Sequence, residues 1–113
     1  MRANRAIINA LKPFGYPCKP DCYNGDAKKY FTFNPADERG EDFGDNEPGC
    51  ILVNMQIHFF LPLGENHITE KKKIREALFA AGFTYPVVTE LIETENNVRH
   101  IVYECDITEE RED

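Results

Sequence analysis

Residues 49–61 read GCILVNMQIHFFL, and the parity of this run decides the fold. Successive side chains of an extended chain point to opposite faces, so Ile51, Val53, Met55, Ile57 and Phe59 share one side. That set is uniformly apolar and predicts a core face. Leu52, Asn54, Gln56, His58 and Phe60 share the other side, a mixed surface suited to half-exposure. A mixed second face on a central strand is where a subunit contact can sit. Asn54, Gln56, His58 and Phe60 are therefore candidate oligomer or partner contacts. Pro62 and Gly64 end the strand.

Working outward, the next segment carries a helical pattern. Ile74, Ala77, Leu78 and Ala81 recur at helical spacing, with Lys72, Lys73, Arg75 and Glu76 largely on other faces. Thr69 reads as the N-cap, Glu70 is well placed near the positive end of the helix dipole, and Gly82 reads as the residue past its end. Phe83 should fold back onto the core. Two further strands are expected at 87–94 and 98–107, joined through Glu95, Asn96 and Asn97, because Asn tolerates positive φ in a tight turn.

On the other side of the central run, Ala3, Ile7, Ala10 and Leu11 form one stripe of a short helix that Pro13 and Gly15 end. The segment PFGYPCKPDCYNGD (13–26) is dense in turn formers and reads as a loop. Tyr30 to Phe33 reads as a strand. Residues 35–48 carry six acids against Arg39 alone, with the single aromatic Phe43. Such a segment offers little apolar surface to offset its ordering entropy, so it reads as a mobile acidic loop. Asp42, Phe43 and Asp45 within it are candidate partner contacts. The tail TEERED (108–113) reads as frayed.

The expected fold is α+β: a small, mostly antiparallel sheet of about four strands, one main helix packed on one face, and a short N-terminal helix. The expected order is α–β–β–α–β–β. A chain of 113 residues forms a single domain with one core.

Composition narrows function mainly by exclusion. A formal net charge of -7 argues against a nucleic-acid surface. Lys71, Lys72 and Lys73 form the only basic cluster, read first as a wet helix face and second as a contact for nucleic acid or an acidic partner. No run of about 18 apolar residues exists, so no membrane span is expected. The N-terminus lacks the apolar region of a signal peptide, which points to the cytoplasm.

Four cysteines, at 18, 22, 50 and 105, raise zinc or disulfides. Cys18 and Cys22 have three residues between them and no second ligand pair, and Cys50 and Cys105 sit in apolar strand positions. Reduced, structural thiols are the simpler reading, and no metal or cofactor is expected. The 35–48 acids lack the spacing of a calcium loop. His58 and His100 fall on the mixed parity of their strands and read as a surface pair. Glu104, two residues from His100 on the same face, is the only hint of an orienting carboxylate for a catalytic base. No phosphate-binding, serine-hydrolase or zinc-protease motif is present, so no enzyme is expected.

With these elements placed, the chain resembles the small phage and prophage proteins that terminate tails and join them to heads. The resemblance lies in layout: the N-terminal helix, the YFTF strand at 30–33, a polar gap, VNMQIHFFLP at 53–62, KKIREALFAAGF at 72–83, and the closing hairpin ending RHIVYECDI at 99–107. It implies a structural subunit that forms a ring, typically hexameric, at the end of the tail tube. The implied partners are copies of itself, the tail-tube protein and the head connector. The implied locations are host cytoplasm during assembly and then the virion tail. The competing expectation is a small cytoplasmic protein-binding module or regulator without catalytic activity.

Overall fold

The computed structural model describes residues 2–41, 44, 47 and 49–110. It is an α+β structure built on one five-stranded mixed sheet. In chain order the elements are α1 (Arg2–Leu11), β1 (Cys18–Pro20), β2 (Tyr30–Glu41), β3 (Cys50–Pro62), α2 (Ile68–Ala80), β4 (Val87–Glu93) and β5 (Val98–Glu110). Spatial order is β1-β2-β3-β5-β4, with β1 parallel to β2 and every other pair antiparallel. The order is therefore α–β–β–β–α–β–β, one strand more than the sequence suggested.

The central run behaves as its parity requires. Val53, Met55, Ile57, Phe59 and Leu61 are buried, and the residues between them are half-buried. Phe31 and Phe33 from β2 and Ile101, Tyr103, Cys105 and Ile107 from β5 continue the buried face on either side. Rings dominate its upper half. Phe59 stacks on Phe31 with centroids 4.8 Å apart and on Tyr16 at 5.7 Å.

Both helices cover this face and leave the other bare. α1 buries Ala3, Ile7 and Leu11, and α2 buries Ile74 and Leu78. The helices lie side by side in opposite senses: Gly82, past the end of α2, is beside Arg2, while Pro13 and Phe14, past α1, border the first turn of α2. Tyr103 ties the layers together, its hydroxyl donating to the Lys71 carbonyl at 2.9 Å. The start of α1 is closed by a residue from the far end of the chain and the end of α2 by its own backbone. The Ala3 N–H donates to the Glu109 carboxylate at 2.9 Å, giving an orphan donor of α1 an acceptor of favourable charge.

At the far end of α2, Phe83 N–H donates to Leu78 and Gly82 N–H to Phe79. This is a Schellman closure, with Gly82 at φ 109, a left-handed value that L side chains rarely adopt. Buried Phe83 meets buried Leu78 across it, as expected.

Four expectations need correction. The Cys18–Cys22 loop contains a strand: Cys18, Lys19 and Pro20 pair in parallel with Phe31, Thr32 and Phe33, helped by Phe31 N–H donating to the Pro17 carbonyl at 2.7 Å. The acidic segment is strand through Glu41, in register from Pro35↔Met55 to Glu41↔Cys50 with a bulge between Pro35 and Asp37. Partner pairing overrides weak local propensity here. Pro35, the bulge and the acids instead serve the exposed edge of β2, where they discourage pairing with a foreign strand. Within the rest of that segment, Asp42, Phe43 and Asp45 lie outside the described residues.

Third, the tail is not frayed from residue 108, since Thr108, Glu109 and Glu110 pair with Leu52, Ile51 and Cys50. Finally, Thr69 is not the N-cap of α2. His67 holds that position without a side-chain bond, and Asn66 Oδ1 accepts from the Ile68 N–H at 3.3 Å. The closing hairpin is as read, with Asn97 at φ 54 in the turn between β4 and β5.

Candidate docking face

The uncovered side of the sheet carries the even residues of β3 and β5. Register stacks them into rows across the strands. Tyr30, Phe60, His100 and Leu91 form one row, and Thr32, His58, Val102 and Thr89 the next. Below these come Asn34, Gln56, Glu104 and Val87, then Asp37, Asn54 and Asp106. Asn54, Gln56, His58 and Phe60 are thus brought onto one surface, each half-buried among its neighbours.

The upper rows form an aromatic pavement. Tyr23 lies against Tyr30 at 4.7 Å, Tyr30 stacks on Phe60 at 4.7 Å, and Phe60 stacks on His100 at 4.2 Å. Leu91 at the end of the row is 50% exposed and Val87 on the same face is 64% exposed.

The middle rows hold a hydrogen-bonded chain whose direction the chemistry fixes. Asn34 Oδ1 can only accept, so His58 Nε2–H donates to it at 2.9 Å. Neutral His58 then has an acceptor at Nδ1, and His100 Nε2–H donates to it at 2.8 Å. Asn34 Nδ2 in turn donates to Gln56 Oε1 at 3.5 Å, and Gln56 Nε2 to Glu104 Oε1 at 3.4 Å. Asn54 Nδ2 donates to Asp106 Oδ1 at 2.7 Å. Glu104 is therefore engaged by Gln56 and does not orient His100.

Burial holds both imidazoles below the usual histidine value. For His58 the neighbouring His100 adds to the effect, and for His100 the Glu93 carboxylate opposes it. A depressed folded value means the unfolded chain binds more protons. Stability is then complete above the unfolded value of 6.5 and falls as acid drives protonation through the folded value. Protonating His58 also turns Nδ1 into a donor facing the His100 N–H. Urea unfolding at about pH 7.5 and about pH 5.5 should therefore show a loss of stability on acidification. The loss should be smaller in His58→Gln/His100→Gln. Equal losses in both proteins would remove the pair from the argument.

Other candidate groups do not converge. Cys18, Cys22 and Cys105 are free thiols. Burial pushes Cys18 up to about 11 and Cys105 up to about 12, so neither is poised as a thiolate. Among the described residues, no group of three or more His, Cys, Asp and Glu side chains is placed to hold a metal ion. His67 stands apart, on the helical side, with Nε2 2.8 Å from Glu90 Oε1; Lys71 and Arg99 approach the same carboxylate. A groove lined by Pro13, Phe14, Asn66, Thr69, Glu70 and Lys73 holds one carboxylate, and Tyr16 already donates to it at 2.6 Å.

No family model and no curated protein matches this chain. The open face must be interpreted from its own chemistry. No helix among the described residues is long and apolar enough to cross a membrane.

Part of this surface was hidden from sequence reasoning. Asn34 and Glu93 belong to it through registers with β3 and β5 that no local pattern announces, and Tyr23 reaches it from a loop through its contact with Tyr30. The one available signal was the even parity of β5, which aligns His100, Glu104 and Asp106 on one side.

Proposed function

We propose that this chain is a structural assembly subunit of a phage or prophage, forming a ring at the end of the tail tube that stops tube growth and joins tail to head. The observation that carries the reading is a sheet with both helices on one side and a broad, half-apolar face on the other. A central strand of 13 residues with one uncovered side offers a surface of the shape a neighbouring subunit needs. The chemistry of that surface also favours contact over catalysis. Its polar groups bond mainly to one another, His58 between Asn34 and His100, and Gln56 to Glu104.

On this reading the protein acts in the host cytoplasm during assembly and ends in the virion tail, touching its own copies, the tube protein and the head connector. Its work involves no bond-making chemistry. A second reading, a small protein-binding module or regulator, draws on the carboxylates of the same face, which suit a basic partner.

Assembly in the presence of tail-tube protein tests the first reading. Added protein should yield tubes of arrested length bearing a ring at one end, seen by negative-stain microscopy. Tubes that grow to the same lengths, bare at both ends, would overturn it.

A further inference from the structure

Charge is divided between the two sides of this molecule. On the open sheet face stand Asp37, Glu41, Glu93, Glu104, Asp106 and Glu110, with Arg39 and, beside Thr32 on β1, Lys19 as cations of that face, so acids still dominate it. Arg39 is already held by Asp37 at 2.6 Å. Glu93 and Glu104 form no ion pair with a lysine or arginine among the described residues.

The helical layer is the reverse. Buried residues of α1 and α2 point inward, so helical periodicity turns Arg5, Lys72 and Lys73 outward, and Lys12 is exposed just beyond α1. None of these four forms an ion pair among the described residues. The acids of α2 are Glu70 and Glu76. Glu70 lies near Lys29 and accepts from Tyr16, while Glu76 accepts from Tyr85.

Each side also carries apolar surface beside its charges. The helical layer exposes Ile8, Ile68 and Phe79, the latter two by 56% and 51%. The sheet face has the Tyr30–Phe60–His100 pavement and Leu91. An apolar centre with a charged rim is the usual anatomy of a protein contact.

We infer that the sheet face of one copy receives the helical layer of the next, a head-to-tail contact between two different surfaces of the same chain. This deepens the assembly reading above and rests on it. Charge complementarity selects the occupant. Two sheet faces meeting would set unpaired carboxylates against each other, and two helical layers would set lysines and arginines against each other. Only the unlike pairing removes both repulsions.

Size allows it, since the long extent of 54 Å with either short extent, 26 or 23 Å, frames more than the ~800 Å² per partner of a standard interface. A contact between unlike surfaces repeats from copy to copy, closing a ring when its rotation permits and a filament otherwise. It also accounts for the surplus of the basic cluster at 71–73: Lys71 serves Glu90, while Lys72 and Lys73 are left for the neighbour.

The test uses charge reversal on exposed residues and sedimentation velocity of the full chain. One protein carries Glu93→Lys/Glu104→Lys on the sheet face. The other carries Arg5→Glu/Lys72→Glu/Lys73→Glu on the helical layer. Circular dichroism melts confirm that both remain folded. Wild type should form oligomers that dissociate as salt rises toward 1 M, because exposed charge pairs are screened. Each variant alone should associate at least tenfold more weakly, since the first reversal cancels most of the negative charge of the sheet face and the second turns the helical layer negative. Mixed in equal amounts, the two should recover oligomers, each supplying the face the other lacks.

If wild type assembles and neither reversal weakens it, this contact is wrong while the assembly reading stands. If the sheet-face variant associates with wild type as tightly as with the helical-layer variant, the helical layer takes no part and the head-to-tail contact is overturned. If wild type stays monomeric at every concentration and salt, the contact and the ring fall together.

Discussion

Ile57→Asp leaves this chain unfolded at room temperature. Ile57 is 0% exposed and sits at the middle of β3, facing Phe33 of β2 on one side and Tyr103 of β5 on the other. The substitution removes a fully buried aliphatic side chain, a loss of about 2–5 kcal/mol when such residues are truncated. It then places a carboxylate where no positive group or spare donor waits, since the Tyr103 hydroxyl is committed to the Lys71 carbonyl. An unpaired buried charge adds several kcal/mol more, or forces the acid to remain neutral at further cost.

Together these approach or exceed the whole stability of a domain this size, about 5–15 kcal/mol. Loss of amide dispersion in NMR and of cooperative melting are the expected readouts. Ile57→Val, which keeps shape and polarity, should cost only about 1 kcal/mol. A folded, cooperatively melting Ile57→Asp protein would mean that the buried face is not the one assigned.

That assignment was open to the sequence because strand parity is a local property with an exact period of two. The burial of Val53 through Leu61 follows from side-chain alternation alone. The helix stripes of α1 and α2 and the Schellman end at Gly82 were legible for the same reason: each depends on neighbours within one or two turns. What escaped was long-range. Cys18–Pro20 becomes a strand only because Phe31–Phe33 offers an edge. Residues 35–41, poor in apolar groups, are strand because β3 continues beside them as far as Cys50.

The docking face divides along the same line. Asn54, Gln56, His58 and Phe60 could be placed on one surface from β3 alone. The bond from His100 to His58 required the register of β5 against β3, and the carboxylates that give the face its sign required those of β2, β4 and β5. A deletion of 37–46, harmless if those residues were all loop, would here remove the paired end of β2.

Phe59→Ala and Phe60→Ala should separate stability from assembly using adjacent residues. Phe59 is 0% exposed, and its ring packs against those of Phe31 and Tyr16 in a cluster of three. Truncating a buried Phe costs about 3–5 kcal/mol, from lost burial and from the cavity that remains. The damage should spread in one direction. Tyr16 would lose its stacking partner, and its hydroxyl anchors Glu70 of α2 and accepts from Lys29, which also holds Glu65 at 2.8 Å. Amide exchange should therefore accelerate most across residues 15–29 and in the first turn of α2, with a lower urea midpoint and an unchanged slope.

Phe60 points the other way, onto Tyr30 and His100. Its loss should cost only about 0.5–1.5 kcal/mol per aromatic pair, because its surroundings are already partly wet. Under the head-to-tail contact it removes the apolar centre of the receiving face, so self-association should weaken at least as much as it does on reversing a rim charge. If Phe60→Ala lowers stability as much as Phe59→Ala and leaves association untouched, the even side of β3 is no docking face.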